Sequence, residues 1–159
     1  MTTPCLKRLR REISALKQSD EDAEIALIPD EDNIRLWNAY IAGPPESPYE
    51  GLFFPMRIVI SNDYPLTPPK VTFLNKMFHP NVNFDSGEIC LDILKSKWTP
   101  AWSIEAACRA IIALLGDPDV ESPWNCDAGN MIRAGDIIAF NSTARLYATE
   151  YGLPERPAV

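Results

Sequence analysis

The stretch "LWNAYIAGPPESPYEGLFFPMRIVI", residues 36–60, joins two apolar segments through a loop rich in proline. The segments Leu36–Ala42 and Phe53–Ile60 follow a strand-like period and are rich in aromatic and β-branched residues. Proline fixes φ and donates no hydrogen bond, so the loop 43–51 is predicted to be stiff and irregular. A connection this short favours antiparallel strands, because a parallel pair requires a longer crossover.

Two further strand-like segments, Glu24–Ile28 and Val71–Leu74, flank the quoted stretch. Short polar or proline-rich turns separate all four segments, and the turn "NDYPLTPPK" at 62–70 again favours a stiff loop. The spacing therefore predicts a four-stranded antiparallel meander.

Helical patterns lie on both sides of this meander. The segment "TTPCLKRLRREISALKQ" is amphipathic, with Thr3 as its cap and Pro4 in the first helical position. An aperiodic segment of about 25 residues follows residue 75, and a segment this long without regular structure is usually functional. Three more helices are predicted near 103–116, 126–133 and 136–151. We therefore predict an α+β fold in a single domain over residues 1–159, with its core at about 4–151 and a short tail at 152–159.

Composition excludes several classes of function. A chain of 159 residues with 46% apolar residues is long enough to bury a core without disulfides. The net charge of −7 opposes a phosphate backbone, which argues against a nucleic-acid partner. No segment approaches the length of about 20 apolar residues that spans a bilayer, so we expect a cytoplasmic protein without direct membrane insertion.

The four cysteines, at positions 5, 90, 108 and 126, show no CxxC pair and no metal-ligand spacing. Neither a metal nor another cofactor is expected. Cys5, Cys108 and Cys126 lie in or at predicted helices, where we expect small buried or half-exposed apolar side chains. Cys90 differs, because it lies at the edge of the aperiodic segment, where solvent can reach a thiol whose backbone is anchored.

The single histidine, His79, shares the segment "HPNVNFDSGEICLDIL" (79–94) with Cys90. A thiol hydrolase would use His79 as its base, but no orienting residue is evident beyond Asn81. The residues around Cys90 are also acidic, at Asp85, Glu88 and Asp92. Acidic neighbours disfavour a thiolate, which makes Cys90 a poor nucleophile for hydrolysis. Exchange of an acyl group with another thiol needs no strong base, because the two thioesters have similar energies.

Five motifs follow one another along the chain: "GPPESPYEG" at 43–51, "YPLTPPKV" at 64–71, "HPN" at 79–81, "GEICLDIL" at 87–94 and "WTPAWSI" at 98–104. Together they resemble the ubiquitin-conjugating enzymes, over about residues 4–151. The resemblance implies an N-terminal helix, a four-stranded antiparallel meander, a flap that carries the active cysteine, and then helices.

The resemblance also implies roles for residues near the flap. Cys90 is expected to accept ubiquitin as a thioester from a ubiquitin-activating enzyme and to pass it on with a RING-type ubiquitin ligase. Asn81 either donates its amide to the oxyanion or orders the loop that shapes it. His79 and Pro80 are expected to be structural. Ser122 either helps to deprotonate the attacking group or is simply a turn residue before a proline.

Two partner surfaces follow from the same resemblance. Leu66, where the family usually has an aromatic residue, is expected to bind the ligase together with Pro100 and Ala101. The activating enzyme is expected to contact the basic face of the first helix, at Lys7, Arg8 and Arg11.

Residues 122–147, with "DAGN" and "IRAGD", and one extra residue between Asn81 and Cys90 are similar to the peroxisomal ubiquitin-conjugating enzymes of fungi. This resemblance implies recruitment by a membrane-anchored partner to the cytosolic face of the peroxisomal membrane, where the substrate is the cycling import receptor. A general cytosolic member of the family is the alternative. Either a lysine or a cysteine of the acceptor is compatible with this chemistry. Four apolar or aromatic residues of the last helix either bind the partner or pack inward: Ile138, Leu146, Tyr147 and Tyr151.

Overall fold

The computed structural model describes residues 3–159, apart from the side chains of residues 91–93. The elements are α1 Pro4–Gln18, β1 Ile25–Pro29, β2 Leu36–Ala42, β3 Phe53–Val59, β4 Lys70–Phe73, α2 Leu91–Lys97, α3 Ile104–Gly116, α4 Cys126–Arg133 and α5 Ile137–Tyr151. The strands form one antiparallel sheet in the order β1-β2-β3-β4. The predicted α+β meander is therefore confirmed.

Alternate residues of the two central strands form the inner face of the sheet. In β2 the buried residues are Trp37, Ala39 and Ile41, and in β3 they are Phe54, Met56 and Ile58. The α3 helix packs on β1 and β2 and contributes a buried apolar face of its own, which includes Ile111 and Leu115. One hydrophobic core results. The segment between β4 and α2, residues 74–90, is the flap, and it is attached to the edge of this core.

The predicted helix starts are confirmed by their capping bonds. Thr3 Oγ1 accepts a hydrogen bond from the Leu6 amide at 3.3 Å, and Pro4 occupies the first turn of α1. Ser103 Oγ accepts from the Ala106 amide at 3.1 Å at the start of α3. These caps fix the point at which each helix leaves the preceding loop.

The segment after residue 75 is more ordered than predicted. Bridges pair Val82 with Ile89 and Thr72 with Glu88, and α2 begins directly after Cys90. A left-handed φ of 75° at Gly87 closes the turn, and a Cβ at Gly87 would lie 2.0 Å from the Phe73 carbonyl oxygen. The prediction missed α2 because a seven-residue helix is too short to show a reliable period.

Smaller corrections concern the strand ends and the chain beyond α5. β1 and β4 are each shifted by one residue from the prediction, because Trp37 pairs with Pro29 and Val59 pairs with Lys70. The predicted tail also packs against the sheet, since Leu153 forms an antiparallel bridge with Phe53. Among the described helices, none has both the length and the apolarity needed to cross a membrane.

Candidate active site

Cys90 lies where the flap ends and α2 begins. Its amide donates a hydrogen bond to the Asn81 carbonyl oxygen at 3.0 Å, and the residue is half-buried. The preceding residue, Ile89, is 2% exposed and holds the strand of the flap against the core. The backbone of Cys90 is thus anchored while solvent reaches the residue, as the sequence predicted.

The acidic residues near Cys90 have different surroundings. The Glu88 carboxylate pairs with Lys70 at 3.1 Å, and the exposed Asp85 carboxylate lies 3.9 Å from Lys76 Nζ. The side chain of Asp92 lies outside the described part of the chain. Two of the three predicted acidic neighbours therefore have a basic partner.

Asn81 is completely buried and connects the flap to the loop after α3. Its Nδ2 donates to the Asp119 carbonyl oxygen at 2.7 Å, and its Oδ1 accepts from the Asp119 amide at 2.9 Å. One side chain therefore satisfies both backbone polar groups of residue 119. No sequence pattern predicts this pair, because backbone groups are common to all residues and the two positions are 38 residues apart.

His79 is also completely buried, and both of its ring nitrogens are bonded. Nδ1 accepts from the Asn81 amide at 3.0 Å, so Nε2 carries the hydrogen that is donated to the Leu114 carbonyl oxygen at 2.9 Å. Burial lowers the pKa of His79 to about 4, although the bond to Leu114 opposes the shift. The ring is neutral at physiological pH and has no free lone pair to accept a proton from Cys90.

Pro80 joins the flap to the start of α4. Its carbonyl oxygen accepts hydrogen bonds from the amides of Trp124 (2.8 Å) and Asn125 (3.0 Å). With His79 bonded to the end of α3 and Asn81 bonded to Asp119, the tripeptide 79–81 ties three separate segments together. The flap is therefore positioned by buried hydrogen bonds to backbone atoms.

Ser122 is exposed in the loop that Asn81 holds. It lies three residues after Asp119, whose Oδ1 accepts a hydrogen bond from the Glu121 amide at 3.0 Å. The loop is thus locally ordered on one side of Ser122 and continues into Pro123 on the other. This position is compatible both with a role of Ser122 in deprotonating the attacking group and with a simple turn residue before a proline.

The three predicted ligase-binding residues lie on adjacent exposed loops. Leu66 is 75% exposed, and Pro100 and Ala101 are exposed as well. Trp98 Nε1 donates to the Pro65 carbonyl oxygen at 2.8 Å, which joins the two loops. This bond places the loop of Leu66 beside the loop of Pro100 and Ala101.

The basic face of α1 is divided. Lys7 and Arg11 are exposed, whereas Arg8 is half-buried and its guanidinium group is bonded within the chain. Arg8 donates to the carbonyl oxygens of Pro100 and Trp102, each at 2.6 Å, and pairs with Glu12 at 2.8 Å. Arg8 therefore connects α1 to the loop that carries two of the predicted ligase-binding residues, Pro100 and Ala101.

The four predicted docking residues of α5 are divided in the same way. Ile138 is 82% exposed and Leu146 is 64% exposed. Tyr147 and Tyr151 are half-buried and stack on each other with ring centroids 6.4 Å apart, and Tyr147 also stacks on Phe78. Adjacent positions in a helix point about 100° apart, so Leu146 faces solvent while Tyr147 packs inward.

The remaining cysteines are not arranged for metal binding. Cys5 and Cys108 are buried as predicted, and burial raises the pKa of Cys108 to about 12. Cys126 is exposed, contrary to the expectation of a buried or half-exposed residue, because it lies on the outer side of the first turn of α4. Within residues 3–159, leaving out the undescribed side chains of residues 91–93, no group of three His, Cys, Asp or Glu side chains could hold a metal ion.

Comparison with known proteins agrees with this geometry. Residues 8–148 match the family described as "Ubiquitin-conjugating enzyme". The chain is 50% identical to Protein PEROXIN-4 of Arabidopsis thaliana, over 92% of each chain. It is 47% identical to the ubiquitin-conjugating enzyme E2 pex4 of Dictyostelium discoideum, over 91% of this chain and 97% of the relative.

A solved structure shows the same fold. The H. polymorpha ubiquitin conjugating enzyme Pex4p, crystallised in complex with the soluble domain of Pex22p, aligns with a TM-score of 0.88 and 36% identity. The alignment covers 95% of this chain and 100% of that chain. The resemblance predicted from the five motifs is confirmed, and the chain belongs to the ubiquitin-conjugating enzyme family.

Proposed function

We propose that this ubiquitin-conjugating enzyme carries ubiquitin on Cys90. The Cys90 thiolate attacks the thioester carbonyl of ubiquitin on the activating enzyme, whose own thiolate leaves. A nucleophile of the acceptor then loses its proton and attacks the new thioester, and the Cys90 thiolate leaves and is protonated. The observation that carries this proposal is the position of Cys90, half-buried on an anchored flap whose histidine has no free nitrogen.

Asn81, which bonds the loop after α3 from the flap, and Ser122, which lies in that loop, are proposed to serve the transfer step. The two bonds to Asp119 support a role of Asn81 in ordering this loop. The Nδ2 group has a second hydrogen, so donation to the oxyanion is compatible with that role. The exposure of Ser122 supports a contact with the incoming acceptor.

Two exposed surfaces are proposed for the protein partners. The activating enzyme is expected to contact Lys7 and Arg11, with Arg8 acting mainly by holding α1 in place. A RING-type ligase is expected to bind Leu66, Pro100 and Ala101. Residues 1–159 are proposed to act as one catalytic domain, because a single core contains residues from α1 through α5.

We further propose a peroxisomal role, in which the acceptor is the import receptor during its recycling. The similarity to PEROXIN-4 and to a Pex4p that binds the soluble domain of Pex22p supports this role. A membrane-anchored partner is expected to hold the enzyme at the cytosolic face of the peroxisome through Ile138 and Leu146, with Tyr147 and Tyr151 supporting that surface from beneath. Replacing Ile138 and Leu146 with Asp should abolish recruitment while charging of Cys90 stays normal.

The central proposal is tested with activating enzyme, ATP and ubiquitin, followed by gels with and without reductant. Wild-type enzyme should give an adduct that reductant removes, and Cys90→Ser should give an oxyester adduct that resists reductant. Cys126→Ser is the matched control, because Cys126 is an exposed thiol outside the flap, and it should behave as wild type. An adduct that depends on Cys126, or one that survives in Cys90→Ala, would overturn the assignment.

A further inference from the structure

A groove of about 880 Å³ lies beside the flap, between residues 83–85 and the helices α4 and α5. Its lining combines aromatic rings with carboxylates. The rings belong to Phe78, Phe84, Trp124 and Tyr147, and the carboxylates to Asp85, Asp127 and Asp136. None of these side chains takes part in the proposed thioester chemistry, and only Tyr147 has another proposed role, beneath the surface for the membrane-anchored partner.

The groove shares its walls with the loops of the active site. The Trp124 amide is bonded to Pro80, next to Asn81, and the Asn83 amide donates to the Glu88 carbonyl oxygen at 2.8 Å, two residues before Cys90. Neither Cys90 nor Ser122 lines the groove. A chain whose reactive side chain reaches Cys90 over this side of the flap would therefore place its neighbouring residues in the groove.

The chemistry of the walls favours a cation next to an apolar group. Trp124 is 46% exposed, which is unusual for so large an apolar ring. The carboxylates of Asp127 and Asp136 form no ion pair within the described part of the chain, and the groove lining contains no lysine or arginine there. Arg133 lies nearby, but its guanidinium group donates to Asn130 Oδ1 at 2.6 Å.

The protein itself shows how this wall accepts an ammonium group. Lys76 Nζ lies 4.3 Å from the centroid of the Phe84 ring and 3.9 Å from Asp85 Oδ1. A ring face together with a carboxylate attracts a cation through the ring quadrupole and the charge. Trp124 and Asp127 present the same two groups on the α4 side of the groove, without a basic side chain among the lining residues.

We propose that this groove binds the segment of the acceptor protein that flanks the residue receiving ubiquitin, and that it selects a lysine or arginine adjacent to an aromatic or large aliphatic residue. The inference rests on the proposed function, since it requires a ubiquitin thioester on Cys90. It adds a specificity site for the acceptor, with Trp124 binding the apolar side chain and Asp127 binding the basic one.

The test uses enzyme that is already charged with ubiquitin and measures single-turnover discharge to short peptides. Two peptides share the same acceptor residue and differ in its flank, which is Arg-Phe in one and Glu-Ser in the other. Each is made with a lysine and with a cysteine as acceptor. Free lysine and free cysteine serve as small nucleophiles, because they have no flanking residues to place in the groove while they react at Cys90.

At subsaturating peptide, discharge of ubiquitin to the Arg-Phe peptide should be about 10-fold faster than discharge to the Glu-Ser peptide. Trp124→Ala and Asp127→Asn should each lower the ratio of the two discharge rates by about three- to fivefold. Both variants should leave discharge to the free amino acids unchanged. Asp32→Asn, the same change at an exposed position of the β1–β2 turn, should leave the preference intact.

Two outcomes would overturn the proposed role of the groove in selecting the acceptor. One is equal discharge to both peptides, and the other is an equal effect of the variants on peptides and on free amino acids. Failure of the proposed function would look different, because no thioester would then form on Cys90 and discharge could not begin. Normal charging of Cys90 with no discrimination between the peptides would reject the role of the groove and leave the proposed function standing.

Discussion

Replacing Asn81 with Ala should destabilise the fold as well as slow the transfer of ubiquitin. The variant loses the bonds from Nδ2 to the Asp119 carbonyl oxygen (2.7 Å) and from the Asp119 amide to Oδ1 (2.9 Å). Each is worth about 1 kcal/mol net, and a buried group left without a partner costs more. Residue 119 is itself exposed, so water partly replaces the lost amide. The expected loss in the free energy of unfolding is about 2 to 3 kcal/mol.

Urea unfolding followed by the fluorescence of the four tryptophans measures this loss directly. In thermal unfolding, it corresponds to a decrease in Tm of about 4 to 12 °C for a domain of this size. Ser122→Ala is the matched control, because Ser122 lies in the loop that contains Asp119 and is exposed. We expect its stability to stay within about 0.5 kcal/mol of wild type.

Single-turnover discharge to free lysine, measured on the same variants, separates the two roles of Asn81. If the side chain orders the loop, the Ala variant should lose stability and transfer together. An Ala variant as stable as wild type, with transfer reduced about 100-fold, would contradict this reasoning. The amide would then act on the oxyanion alone, and the bonds to Asp119 would contribute nothing measurable to folding.

Two further predictions concern buried and half-buried basic groups. The pKa of His79 is about 6.5 in the unfolded chain and about 4 in the fold, so the contribution of the neutral ring to stability is complete above pH 6.5 and is lost as pH falls towards 4. Urea titrations should show about 3 kcal/mol of pH dependence in the free energy of unfolding, and this dependence should be missing in His79→Gln. An unchanged pH dependence in that variant would refute the assignment. Arg8→Ala should lower the free energy of unfolding by about 1 to 3 kcal/mol, because the bonds to Pro100 and Trp102 are lost. Arg11→Ala, at an exposed position of the same helix, should change it by less than about 0.5 kcal/mol. Equal effects of the two variants in denaturant titrations would contradict the role of Arg8.

The sheet and the main helices were predictable because their signals are local. Apolar alternation specified β2 and β3, and the side chains of Thr3 and Ser103 marked the starts of α1 and α3. The helix α2 was missed because seven residues make only about two turns. Order in the flap was missed because it comes from isolated bridges and turn bonds, which have no repeating pattern.

The site was predictable only where a side chain carries the chemistry. Cys90 could be selected as the candidate from its position at the end of a glycine turn, and its role stays a prediction. The partners of His79 and Asn81 could not be predicted, because they are backbone groups 35 and 38 residues away. The basic face of α1 suggested three equivalent cations, yet Arg8 reaches two carbonyl oxygens that belong to residues 100 and 102. Such contacts depend on how the segments pack, and sequence patterns do not record them.

The distribution of polar groups supports the proposal that the Cys90 thiol works without a base. A thioester is already activated, so the enzyme gains most from holding the flap and the loop after α3 in a fixed arrangement. Buried polar groups stabilise such an arrangement when they have hydrogen-bond partners, and His79 and Asn81 find theirs in backbone atoms of both segments. A hydrolytic histidine would need one free ring nitrogen and access to water. Because both ring nitrogens of His79 are bonded within the fold, His79 has no nitrogen with which to activate water against the thioester that we propose on Cys90.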